Sequence, residues 1–98
     1  MGNLLLGFAA TLLLLLCACA GVEQWRIDAE KIEDPVQKGR VLYEHSCNRC
    51  HALYMPQSYS RGDWRYFVRK YAPRARLRPG EDELVLRYLR LNARNARR

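Results

Sequence analysis

The chain has 98 residues and a formal net charge of +7, and no charged side chain precedes Glu23. The segment after residue 20 is one small domain, too small to bury an ample apolar core unaided, so a disulfide, metal or cofactor is expected to support it. The positive excess is carried mostly by arginine, which points to an anionic protein partner or an anionic membrane surface, against the plain alternative of a solvated basic surface.

Residues 4–16 read LLLGFAATLLLLL, without a charge. That length suits the apolar core of a signal peptide and is short for a membrane span, which needs roughly 20 apolar residues. Residues 1–20 are therefore read as a signal segment. Two cleavage patterns compete. Ala18-Cys19-Ala20 before Gly21 fits ordinary signal peptidase. Leu16-Cys17-Ala18-Cys19 resembles a bacterial lipobox, which would lipidate Cys19 and attach the chain to a membrane. The lipoprotein form is favoured, because a small residue precedes Cys19. An uncleaved anchor helix is the third outcome. Met1-Gly2 is no myristoylation start, since Leu6 stands at the Ser/Thr position. Export places the chain in the periplasm or on the outer face of a bacterial membrane, and there nucleic acid is not an expected partner.

Residues 21–33 are polar, with Trp25 and Ile27 as isolated apolar positions, and read as a tether or an N-terminal extension. Residues 34–98 read as the folded domain. Asp34-Pro35 is a helix start, with Asp as N-cap and Pro at the first helical position. The helix continues through VQKGRVLYEHS, with Val36, Gly39, Arg40 and Tyr43 on one face and Leu42 beside them. Gly39 costs such a helix about 1 kcal/mol relative to Ala, and a glycine there lets another helix approach closely. Residues 51–59 form a loop in which Pro56 blocks a helix. Ser60 and Asp63 form a capping box for a second helix over 61–71, with Trp64, Phe67, Val68 and Tyr71 on one face. Pro73 ends it. A loop over 72–80 has Leu77 as its apolar anchor. A third helix runs from near Pro79 to about Arg94, with Leu84, Val85, Tyr88 and Leu89 as its buried stripe and Leu86 and Leu91 flanking it. The last residues are expected to fray. No strand pattern appears, so the domain is expected to be all-α with three helices.

Cys47-Asn48-Arg49-Cys50-His51 is a C-x-x-C-H sequence, the pattern of covalent haem attachment. Two thiols with two residues between them can reach the two vinyl groups on one edge of a porphyrin. The following imidazole can then approach the iron, and a proximal histidine is a common haem ligand. Cys47 and Cys50 are thus the candidate attachment residues for one haem c per chain, and His51 the proximal iron ligand. Two haem propionates would offset part of the positive charge.

The domain resembles the class I cytochrome c family over roughly residues 36–92. In that family a glycine and an aromatic, four residues apart on the first helix, meet an aromatic on the last. Gly39 and Tyr43 match the first pair, and Tyr88-Leu89 matches the Tyr-Leu of the last helix. CNRCHALYMP, Trp64 and the terminal YLR are also similar to very short bacterial monohaem cytochromes. The resemblance implies a haem fold and electron transfer with redox partner proteins, and the positive charge suits anionic ones. No acid–base or nucleophilic constellation stands out, so catalytic turnover is not expected.

The sixth iron ligand departs from the family, which presents a methionine before the last helix. No methionine follows Met55. Met55 lies four residues past His51 and would need an unusual loop to reach the opposite haem face. Tyr71 stands where the short cytochromes place a methionine, and a tyrosine can ligate ferric haem. His45 reads as a helix-end residue and Lys70 as an outside candidate. Trp64, Phe67 and Tyr54 could line a haem pocket or simply pack a core. An open sixth position would make the chain a haem-based sensor or small-gas-binding module, the main alternative to electron transfer. Two weaker alternatives are a zinc module built on His45, Cys47, Cys50 and His51, and a thiol–disulfide protein, for which the expected preceding strand is missing.

Overall fold

A computed structural model describes residues 24–48 and 52–96. The signal segment with its candidate cleavage sites, Cys19 included, lies outside these residues. Four α-helices and no strand occur among the described residues: α1 (Gln24–Glu30), α2 (Pro35–Ser46), α3 (Arg61–Tyr71) and α4 (Glu81–Leu91). Short 3₁₀ turns, Pro56–Ser58 and Ala72–Arg74, precede and follow α3. The architecture is all-helical, as expected. None of the described helices is long and apolar enough to cross a membrane.

The helix starts follow local chemistry. Asp34 caps α2, its carboxylate accepting from the Val36 amide at 3.2 Å. Ser60 and Asp63 cap α3 reciprocally, at 3.1 and 3.3 Å. α4 opens after Gly80, whose φ of 86° is left-handed backbone that glycine adopts without a Cβ penalty. Its first turn carries Glu81, Asp82 and Glu83, which favour the positive end of the helix dipole.

The core sits where α2 crosses α4. Leu42 and Tyr43 from α2, Trp64 from α3, and Val85, Leu86 and Leu89 from α4 are all buried. Gly39 lies at the crossing point. A methyl group added there would fall 2.7 Å from the Leu84 carbonyl carbon and 3.1 Å from Tyr88 Cβ. Backbone approaches backbone here, so only a residue without a Cβ fits.

Four expectations need correction. Residues 24–30, placed within a polar tether, form α1. Its side chains hold it down: Arg26 Nη1 donates to both carboxylate oxygens of Glu81, at 3.0 and 3.2 Å, and Nη2 donates to the Arg76 carbonyl at 3.2 Å. Arg78 also pairs with Glu30, and Ala29 is buried. The described helices therefore number four, not three.

The buried face of α2 is Gly39, Leu42, Tyr43 and Ser46. Arg40 turns outward, where it pairs with Glu44 one turn on, at 2.8 Å. The C-terminal segment is tied rather than frayed over its described part. The Arg94 amide donates to the Tyr59 carbonyl at 3.0 Å, the Arg61 amide donates to Asn95 Oδ1 at 2.9 Å, and Ala93 is buried. The buried stripe of α4 is shifted from the expected one: Leu86, expected to flank it, is buried with Val85 and Leu89, whereas Leu84 and Tyr88 are half-buried.

Two glycine substitutions should move stability in opposite directions. Gly39→Ala gains helix propensity but must push α2 and α4 apart, so it is expected to lower unfolding stability by about 1–3 kcal/mol. Gly62→Ala, whose added Cβ meets only Ser60 Oγ at 4.0 Å, is expected to gain about 0.4–1 kcal/mol. Urea unfolding followed by circular dichroism measures both.

Candidate functional site

Cys47 is the C-cap of α2, and its amide donates to the Tyr43 carbonyl at 3.1 Å. The last helical turn therefore fixes its backbone. Its half-buried side chain opens onto a cavity of about 350 Å³. Arg49, Cys50 and His51 lie outside the described residues, so the geometry of the motif rests on Cys47 alone.

Three of the described helices and the segments around α3 form the walls. α2 provides Tyr43 and Ser46, and α4 provides Val85 and Leu89. The loop after the motif adds Leu53, Tyr54 and Tyr59. α3 presents Trp64, Phe67, Val68 and Tyr71, which are the face its spacing marks out. The segment beyond α3 contributes Leu77 and Arg74. Arg74 is the one charged side chain among the described lining residues. A concave apolar space with few polar groups is the usual form of a small-molecule or cofactor site.

Hydrogen bonds from aromatic side chains hold the loop in place. Tyr43 donates its hydroxyl to the Tyr54 carbonyl at 2.5 Å, and Trp64 Nε1 donates to the Pro56 carbonyl at 2.7 Å. Each buried ring thus satisfies its polar atom by fixing a loop carbonyl. Tyr59 sits among the rings of Phe67, Trp64 and Tyr54, with centroids 4.8, 5.2 and 5.5 Å away. The Tyr43 ring lies 6.1 Å from that of Tyr88 across the helix crossing.

Among the groups that line the cavity, burial changes the acidity of Cys47 and Tyr43. It pushes the Cys47 thiol from 9.0 up to about 11. It also raises the Tyr43 phenol from 10.0 to about 12, with the neighbouring Cys47 and Tyr88 adding to the effect. Both favour the neutral form. A free Cys47 thiol is thus a poor thiolate nucleophile at neutral pH.

The other predicted residues fall in different places. Tyr71 is in the cavity wall and 46% exposed. Met55 is 68% exposed, just before the 3₁₀ turn, and is not among the lining residues. Lys70 is exposed, its ammonium 5.6 and 5.5 Å from the Tyr66 and Tyr71 ring centres. His45 is exposed and stacks on Trp25, with centroids 4.8 Å apart. Among the described residues, no three His, Cys, Asp or Glu side chains group as a metal site. Tyr59 went unremarked in the sequence, although a signal exists. It directly precedes the N-cap Ser60 and packs on Trp64 at the fourth helical position, as in a hydrophobic staple.

Compared with known proteins, the chain matches no family model, no curated sequence and no solved structure.

The two raised pKa values set an alkaline limit. With both groups protonated in the fold, their contribution to stability is full below pH 9 for Cys47 and below pH 10 for Tyr43. It is lost as pH rises to about 11 and about 12, respectively. Unfolding of the free-thiol chain is expected to show stability falling across this range. Tyr43→Phe should make the upper part of the fall shallower, as measured by denaturant titration at each pH.

Proposed function

We propose that the chain is a monohaem c-type cytochrome that transfers electrons in the bacterial cell envelope. The observation that carries this reading is Cys47, the first residue of C-x-x-C-H, opening from a helix end onto an apolar, aromatic-lined cavity. Cys47 and Cys50 would hold the haem by thioether bonds, and His51 would ligate its iron. When bound, the haem would supply one-electron iron chemistry.

The chain's own residues have defined tasks in this reading. Trp64, Phe67, Val85 and Leu89 offer an apolar surface and exclude water. Tyr43 and Trp64 fix the loop that follows the motif. Arg74 offers a cation to a carboxylate at the cavity wall. The Gly39–Tyr43–Tyr88 crossing supports the family resemblance, since these are the positions that carry it in sequence.

Two observations bear on the sixth iron position. Met55 stands outside the cavity wall, and no Met, His or Lys occurs among the described lining residues. Tyr71 is in the wall. These favour Tyr71, or an open position, over Met55. An open position keeps a second reading in play, that of a haem-based gas-binding module.

Expression with a haem c maturation system tests the main reading. The product is expected to be red, to keep its haem through acid–acetone extraction, and to lose it in Cys47→Ala/Cys50→Ala. A colourless product that binds zinc would contradict it.

The sixth position is read separately from the ferric absorption and electron paramagnetic resonance spectra. Met55→Ala is expected to leave both unchanged, whereas Tyr71→Phe should remove a phenolate signature. Rapid carbon monoxide binding by a five-coordinate ferrous form, insensitive to Tyr71→Phe, would favour the gas-binding module.

A further inference from the structure

A second concavity, of about 500 Å³, lies on the other side of α4. Val85 and Leu89 point into the first cavity, whereas Glu83, Arg87 and Arg90 fall on the opposite face of the same helix by its 3.6-residue period. Arg61, at the start of α3, completes the far wall, and Leu84, Leu86 and Leu91 form its apolar part. Arg65, one turn along α3, acts electrostatically on Arg90 together with Arg61.

The charge here is one-sided. Among the described residues, Arg87 and Arg90, with Arg61 and Arg65 beside them, meet one carboxylate of the groove, Glu83. Burial lowers the Arg90 pKa, and the charges of Arg65 and Arg61 lower it further, while Glu83 acts the other way. An arginine stays charged regardless, so Arg90 is a partly desolvated charge beside two like charges, a situation an anion would relieve. Arg90 Nε is buried without a hydrogen-bond partner. A buried N–H left without an acceptor is costly, and more so when it is charged. Among the described residues, neither Arg87 nor Arg90 forms an ion pair.

We propose that this arginine groove binds a phosphate-class oxyanion, free or as the phosphomonoester headgroup of a membrane lipid. Arg87 and Arg90 are the main donors, and Arg61 and Arg65 add charge. A doubly charged tetrahedral anion suits the site better than one carboxylate. It offers acceptors to several guanidinium forks at once and neutralises more of the charge left over after Glu83. The apolar part of the wall suits the glyceride end of a lipid. The site is independent of the haem reading, because α4 separates the two cavities.

Calorimetric titration of the full chain with inorganic phosphate at low ionic strength tests the proposal. One-site saturable binding is expected, weakened by about tenfold or more in R87Q/R90Q. R87K/R90K keeps the charge but loses the planar fork, and should also bind more weakly. K31Q/K38Q removes two cations elsewhere and should change affinity by no more than about twofold, in contrast to R87Q/R90Q. Circular dichroism of each variant checks that the fold is kept.

Flotation with phosphatidylcholine vesicles, with and without phosphatidic acid, separates the two sources. Extra binding to the acidic vesicles that is lost in R87Q/R90Q and displaced by phosphate assigns the lipid headgroup. Saturable phosphate binding without that extra flotation assigns a free oxyanion. Absence of saturable phosphate binding, or equal weakening in K31Q/K38Q and R87Q/R90Q, overturns the site.

Discussion

The rest of the structure depends on the close approach of α2 and α4 at Gly39. There the Leu84 carbonyl and Tyr88 Cβ occupy the space that any larger side chain would need. This contact sets the register of the two helices. It brings Tyr43 against Tyr88 and turns Val85 and Leu89 toward α3. It also places the C-terminal end of α2, and with it Cys47, at the rim of the space that α3 closes. A single backbone contact thus determines where the thiol stands relative to the apolar wall.

The loops are held by side chains rather than by regular backbone ladders. Trp64 and Tyr43 each bind a carbonyl of the segment after the motif. Arg26 performs the same task for the segment before α4, joining Glu81 to the Arg76 carbonyl. Arg76 is in left-handed backbone with a φ of 55°, which is unfavourable for a residue with a Cβ. The Arg26 contact holds that carbonyl in position, and Leu77 next to it enters the cavity wall. α1 therefore shapes the candidate site without touching it.

Features governed by neighbours in the chain were legible in the sequence. Asp34-Pro35 and the Ser60/Asp63 box mark the starts of α2 and α3 because capping is a local hydrogen-bond problem. The α3 face of Trp64, Phe67, Val68 and Tyr71 follows from helical period. Features that depend on distant partners were hidden. α1 shows only Trp25 and Ile27 as apolar signals, and its anchoring contact spans the chain from Arg26 to Glu81. Arg40 reads as part of a helix face, and only the position of α4 across Gly39 leaves it in solvent. The tie between Arg94 and Tyr59 leaves no trace in composition. Of the candidate site, the thiol and the α3 wall could be anticipated, whereas Tyr59 and Arg74 join it only through the fold. The grouping of Arg61 and Arg65 with Arg87 and Arg90 likewise needs α3 and α4 to be packed side by side.

The molecule thus has two unlike faces on either side of α4. One is an apolar, aromatic cavity with Cys47 at its edge, and the other is a groove lined with arginines. The claim that the first is a covalent haem site is tested most directly by mass spectrometry of the peptide containing Cys47 and Cys50, from protein matured in an exporting, haem-competent host. One haem per peptide and no alkylatable thiol at either cysteine are expected. A peptide of unmodified mass, with both thiols open to alkylation after unfolding, would contradict it.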